Sequence, residues 1–265
     1  MSVSFDLEKV KRDLQQTLAK CQVRGLVHST AWLAELLLSV QQKTLKSSNA
    51  DESEITPGYL IAAQYNGLSF DKFSKYSLAK CYFDNREYAR CAHLLASVPK
   101  QESHPLIDFL LFYSRYMSIE KRVTEASITD RDSPAYAKYD APIPSDVHRE
   151  NLSSLKSDMV QRYCDFEDFQ GGKLTAFLTS GVDLYTAYVY ALVQIRLGCR
   201  SVAMKTLVHI VKKDPLMWPA WFELSKLFGD REKLDRTFPP STSPESTSWM
   251  LEFFRAKVIL YTAYS

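Results

Sequence analysis

Cys91-Ala92-His93 is the place in this 265-residue chain where residue types alone invite chemistry. A thiolate beside an imidazole could act as nucleophile and base, or could ligate a metal ion. On a helix, however, residues two apart point about 200° away from each other, so the two side chains do not easily share a ligand. The other histidines, His28, His104, His148 and His209, are dispersed and have no Cys or Asp at a nucleophile's spacing. Gly171-Gly172-Lys173 lacks the Gly-x4-Gly-Lys-Ser/Thr frame that cradles phosphates, and no His-Glu-x-x-His occurs. The five cysteines, Cys21, Cys81, Cys91, Cys164 and Cys199, form no Cys-x-x-Cys pair and have no His at zinc-finger spacing. They read as small reduced core residues of a cytosolic or nuclear protein. The expectation is a chain with no catalytic residue, no metal and no cofactor.

The elements that carry these residues are helical. Hydrophobic content is 46%, charged content 24%, and there are only 8 glycines against 15 tyrosines and 14 phenylalanines. Low glycine with many tyrosines suits helix packing better than a turn-rich β protein. The cleanest pattern lies at Asp214-Pro215-Leu216-Met217-Trp218-Pro219-Ala220-Trp221-Phe222-Glu223-Leu224-Ser225-Lys226-Leu227-Phe228. A proline closes one unit, and a tryptophan follows six residues later. Leucine, a small residue and an aromatic then stand three, four and seven residues after Trp221. This is the tetratricopeptide (TPR) pattern, a helix-turn-helix unit of about 34 residues. Such units stack into a solenoid whose concave face binds other proteins. The predicted fold is all-α, a TPR-like α-α superhelix of antiparallel helix pairs, with 1–265 as a single domain.

Along the chain, residues 4–23 read as an amphipathic helix with Ser4 as N-cap and Gly25 ending it. A second helix is expected from about Ser29 to Leu45, with Trp32, Leu33, Leu36, Leu37 and Val40 on its apolar face. Residues 46–58 are polar and read as a loop. From about Asp71 a repeat follows, in which Leu78, Ala79, Tyr82, Tyr88, Cys91 and Leu95 take TPR positions and Asp84-Asn85 makes the turn. His104-Pro105 opens a helix through about Arg122, with Leu106, Phe109, Leu110, Tyr113 and Tyr116 inward. Residues 123–148 read as a flexible insertion, because Pro134, Pro142 and Pro144 fall within eleven residues. A helix resumes around Leu152 to Phe169. A full unit runs from about Asp183 to Pro215, with Tyr190, Ala191, Ala203 and Leu207 at TPR positions. It departs at Gln194, Arg200 and Ile210. The Trp221 unit has a weak second helix, since Thr237 to Pro244 is a breaker, and Trp249 to Tyr264 makes one more helix. That last helix is apolar almost all round, so further C-terminal repeats, or a partner, are expected to cover it.

The net charge of +2 is too small to suggest a nucleic-acid partner. No apolar run reaches the ~18 residues that span a bilayer. Met1 is followed by no basic and apolar leader, so no signal peptide is indicated. Among aromatics, Phe112 falls off the main face of its helix and is the best candidate for a second contact surface. Thr56, Ser133 and Ser243 each precede proline in expected loops and could accept proline-directed phosphorylation.

Five ordered blocks resemble one family: 24–36, 76–88, 111–118, 215–224 and 249–254 are similar to the N-terminal part of subunit 8 of the anaphase-promoting complex (cyclosome). The resemblance covers most of the chain except 46–70 and 123–170. It implies a non-catalytic scaffold of a cell-cycle ubiquitin ligase, nuclear and cytoplasmic. Its N-terminal repeats would form a homodimer and assemble with other subunits of the complex. The residues that engage the coactivator's short motif are expected outside this chain. Protein-interface candidates are Trp32, Leu36, Leu37, Tyr76, Lys80, Phe83 and Phe112, with the N-terminal hairpin of one protomer received by the repeat of the other. Two rivals stand beside this reading. One is a co-chaperone-type TPR module that clamps a peptide carboxylate, which needs a clustered Lys/Asn/Arg set in one groove. The other is an all-helical enzyme, which needs a cleft with convergent polar groups.

Overall fold

The computed structural model describes residues 6–26, 29, 32, 33, 36, 40, 76, 79, 80, 82–102, 104–129, 146–164, 174–228, 231–239 and 249–263. Among the described residues there is no strand. The helices are α1 (Leu7–Val23), α2 (Tyr88–Ala96), α3 (Pro105–Thr129), α4 (Asp146–Tyr163), α5 (Leu174–Thr179), α6 (Leu184–Arg196), α7 (Arg200–Lys213), α8 (Trp218–Leu227), α9 (Arg231–Thr237) and α10 (Trp249–Ala263). Ser29, Trp32, Leu33, Leu36 and Val40 are also helical, as is the stretch from Tyr82 to Asp84. The all-α expectation therefore holds. No helix among the described residues is long and apolar enough to cross a membrane.

The chain divides into two compact units, one drawn from Met1–Gly67 and Val211–Ser265 and the other from Leu68–Ile210. In the second unit α3 packs on α2, α4 and α6, and α4 packs on α6. Its core holds Phe109, Leu110, Leu152, Leu155, Met159, Val189 and Val193, all fully buried. Small residues allow close approach. Ala79, Ala187, Ala191 and Ala203 are fully buried, three of them at expected TPR positions. Gln194 departs from the TPR pattern and is buried all the same, while its neighbour-in-pattern Arg200 is exposed.

The first unit is built around aromatics. α10 packs on α8 and α9. Trp221 meets Phe254 at 4.6 Å and Phe238 at 5.2 Å between ring centroids. Leu224, Ser225 and Phe228 are buried beside it, as the repeat spacing predicts. The Trp221 indole Nε1 donates to the carbonyl of Pro215 at 2.9 Å, so the two landmarks of the motif are joined by a hydrogen bond.

Turn chemistry explains the helix ends. Asp183 caps α6, its Oδ2 accepting from the amides of Tyr185 and Thr186 at 3.1 and 3.3 Å. Past α6, Gly198 takes φ +79°, and the Cys199 amide reaches back to the Gln194 carbonyl at 2.8 Å. Gly25, at φ +69°, closes α1 in the same way, with Leu26 donating to Cys21.

Four boundaries differ from the sequence reading. Ser4 lies outside the described residues, and Asp6 makes the N-terminal contact of α1, its Oδ1 accepting from the Lys9 amide. The turn placed at Asp84-Asn85 falls one residue later. Asp84 is still helical, and Arg86 takes the left-handed φ of +61° that lets the Glu87 amide bond Tyr82. α3 runs on to Thr129, seven residues beyond Arg122, because Val123 to Ala126 contain no breaker. α4 starts at Asp146, just after Pro144, where an acidic residue suits the first turn. The remainder of the expected insertion and the loop at 46–58 lie outside the described residues.

Candidate protein-interaction surfaces

Cys91 and His93 do not meet. Cys91 is fully buried, and burial pushes its thiol up to about 11, so it stays protonated. His93 is on the surface of α2. Among the described residues no cluster of three or more His, Cys, Asp or Glu could hold a metal.

His93 instead stands at the rim of an open groove of about 390 Å³ in the second unit. Ala92, Ala96, Leu111 and Phe112 form its apolar floor, and His93, Arg115, Asp158 and Arg162 form its polar rim. The rim is fixed from α4. Arg115 Nη2 donates to Asp158 Oδ2 at 2.6 Å. Arg162 is the better anchored of the two guanidinium groups. Its Nη2 donates to Asp108 Oδ1 at 2.8 Å and its Nη1 to the Val98 carbonyl. Asp108 is fully buried, and the Tyr163 hydroxyl donates to its other oxygen at 2.8 Å. Burial, and then the Asp108 charge, push the Tyr163 phenol far above its ordinary range, which keeps it a donor. Arg162 Nε is buried and has no hydrogen-bond partner.

The first unit carries a second polar-aromatic surface. The Phe222 ring is 37% exposed, and the ammonium groups of Lys226 and Lys257 each lie 4.3 Å from its centroid. Lys226 also pairs with Glu223 at 2.9 Å. Burial, followed by the Lys226 charge, lowers the Lys257 pKa. Trp218 lies beneath Lys257 and stacks on Trp32, ring centroids 4.3 Å apart and 9° from parallel. Each such cation–π contact contributes ~0.5–2 kcal/mol according to its exposure.

The expected interface residues divide by burial. Trp32, Leu36 and Lys80 are half-buried, and Lys80 is tied to Asp84 at 2.5 Å. Tyr76, Phe83 and Phe112 are 1%, 6% and 2% exposed, so their rings lie in the chain's own core. Phe83 was expected at a protein interface, but it packs on Tyr88 and Tyr113 within 5.5 Å. Phe112 does leave the main stripe of α3, and where it goes is the groove floor. Leu37 lies outside the described residues. The groove's rim was not visible in the sequence, because Arg115 and Arg162 are distant in the chain and share no motif. The spacing of Ala92 and Ala96, one helical turn apart on α2, is the one local signal that pointed there.

The family model described as anaphase promoting complex subunit 8 / Cdc23 matches residues 9–263. The chain is 29% identical over 253 residues to the cell division cycle protein 23 homolog of Mus musculus, an alignment covering 96% of this chain and 35% of the mouse protein. It is 32% identical over 181 residues to anaphase-promoting complex subunit 8 of Arabidopsis thaliana, covering 68% of this chain and 25% of the plant protein. The Dictyostelium discoideum protein of the same name is 24% identical over 246 residues, covering 84% and 41%. The chain thus spans about a third of the length of the curated relatives it matches. With the all-α fold and the Trp221 repeat, a match of this length shows that the chain belongs to the anaphase promoting complex subunit 8 / Cdc23 family of TPR-like helical solenoids.

Proposed function

We propose that this chain is a non-catalytic assembly module of the anaphase-promoting complex, a cell-cycle ubiquitin ligase, and that it works by self-association and by docking other subunits. The observation that carries the reading is the family match over 9–263, joined to a repeat architecture whose general use is protein binding. The module acts in nucleus and cytoplasm, where its reduced cysteines are at home. Self-association is isologous, each protomer's N-terminal helices lying against the repeats of the other. Trp32, Leu36 and Lys80, half-buried in the single chain, are its contact residues. Tyr76, Phe83 and Phe112 support the surface from beneath. Such an obligate interface buries more than ~2,000 Å² in total.

Light scattering on the purified chain tests this reading. The expected mass is that of a dimer at tens of micromolar, falling to a monomer when residues 1–45 are deleted. A wild-type chain that stays monomeric, or a dimer indifferent to that deletion, would defeat it.

A further inference from the structure

Two helices of the first unit carry one spacing. Trp218, Phe222 and Lys226 stand four apart on α8, and Trp249, Phe253 and Lys257 stand four apart on α10. Residues four apart share a helix face, so each helix lines up a tryptophan, a phenylalanine and a lysine in one stripe. Both lysines end on the same ring. Lys226 folds back along its own helix, Lys257 crosses from α10, and each Nζ lies 4.3 Å from the Phe222 centroid. Lys257 Nζ also lies 5.5 Å from the Trp218 centroid. The polar company of the two amines differs. Both oxygens of buried Glu223 accept from Lys226 Nζ, at 2.9 and 3.0 Å, so Lys226 would have to abandon an ion pair before it could attack a carbonyl. Lys257 is half-buried on aromatic faces beside a like charge. Burial, and then the Lys226 charge, push its pKa down against a smaller pull from Glu223. Both effects favour the unprotonated amine, the form with a lone pair to donate. Arg255, the neighbouring cation on α10, is engaged with Glu252 and the Phe238 carbonyl.

We propose that Lys257 is a site of acylation, taking a short acyl group from a small thioester of the acetyl-coenzyme A kind. The Nζ lone pair attacks the thioester carbonyl carbon. A C–N bond forms, the C–S bond breaks, the sulfur leaves as thiolate, and the proton shed by nitrogen passes to water. Half-burial between two helices admits a short acyl chain rather than a bulky one. The Phe222 ring, 37% exposed, gives the acyl group an apolar face to lie on. The amide product carries no charge, so it ends the repulsion between the two lysines and removes one ammonium from Phe222 and Trp218. The inference concerns the reactivity of one side chain and does not rest on the assembly reading.

Incubating the purified chain with acetyl-coenzyme A alone at mildly alkaline pH, followed by site-resolved mass spectrometry, tests the proposal. Lys226 is the internal reference, because it touches the same ring at the same distance. Exposed Lys205 and Lys212 are the surface references. Lys257 should be acetylated at least ~3-fold faster than Lys226, a modest lead because rate follows only part of a change in basicity. It should be no slower than Lys205 or Lys212. In Lys226→Gln the Lys257 rate should fall, since the like charge is gone and Glu223 is left to attract it. In Glu223→Gln, which keeps the side chain's shape, Lys226 should gain on Lys257. Circular dichroism verifies that both variants are folded. Lys257 modified no faster than Lys226, more slowly than Lys205 and Lys212, or at an unchanged rate in Lys226→Gln, would overturn the proposal.

Discussion

The two units solve the problem of a helical core in different chemical terms. Around Trp221 the first unit packs ring on ring, with Phe228, Phe238 and Phe254 all within 6.4 Å of one another by centroid. Around Asp108 the second unit threads a carboxylate, a guanidinium and a phenol through its helix contacts. The aromatic box is forgiving in direction and demanding in volume. The polar thread is the reverse, because each donor must find its acceptor or lose the desolvation penalty outright. The first arrangement fills space, whereas the second sets the register of α4 on α3 and so holds the groove open at a fixed width.

Substitutions separate the two arrangements. Trp221→Ala should have the largest effect, ~3–5 kcal/mol in urea unfolding, because a fully packed ring leaves a cavity the box cannot close. A loss under ~1 kcal/mol would mean that the rings are not a packed core at all. Arg162→Met should cost ~3 kcal/mol, near the lower end for stripping a buried charge of its partner, since Tyr163 keeps one bond to Asp108. Adding Asp108→Leu to Arg162→Met should recover part of that loss. If the double variant is no better than the single one, the thread is packing in disguise and the contrast fails. Trp221→Phe should cost less, ~1–2 kcal/mol, because it keeps a ring and loses the bond to Pro215 together with some volume. The smallest effect concerns the thiols. At mildly alkaline pH iodoacetamide should modify exposed Cys199 well before fully buried Cys91. The folded Cys91 thiol ionises near about 11, against 9.0 for an ordinary thiol. Its contribution to stability is therefore fully present below pH 9 and is lost as pH rises through about 11. Equal labelling of Cys91 and Cys199 in the native chain would show that the second unit opens more readily than its packing implies.

Legibility in the sequence follows the same division. Trp221, Leu224, Ser225 and Phe228 were readable because helical spacing and residue size are local facts, and all four are buried as expected. Ala79, Ala191, Ala203 and Leu207 were readable for the same reason. The Asp108–Arg162–Tyr163 thread was not, since it joins residues more than fifty positions apart that follow no periodicity. Positions of Tyr76 and Phe83 within the repeat gave a face, but burial depends on what packs against that face. Tyr88 and Tyr113 decide it for Phe83; the spacing placed each of them on its own helix but did not say that they would meet Phe83. Helix ends were blurred wherever a left-handed backbone fell on a residue other than glycine. Arg86 takes that conformation without the glycine that marks the turns at Gly25 and Gly198.

The bond from the Trp221 indole to the Pro215 carbonyl acts as a ruler laid across the repeat junction. It ties the first turn of α8 to the carbonyl of Pro215 just before it. One residue inserted between Pro215 and Trp221 would break this bond, because the carbonyl would no longer stand at the indole's reach. Length change in this lineage should therefore avoid the six-residue step from Pro215 to Trp221. The hydrogen bond is in that sense a rule of inheritance, dividing the places where the gene can grow from the place where it must keep count.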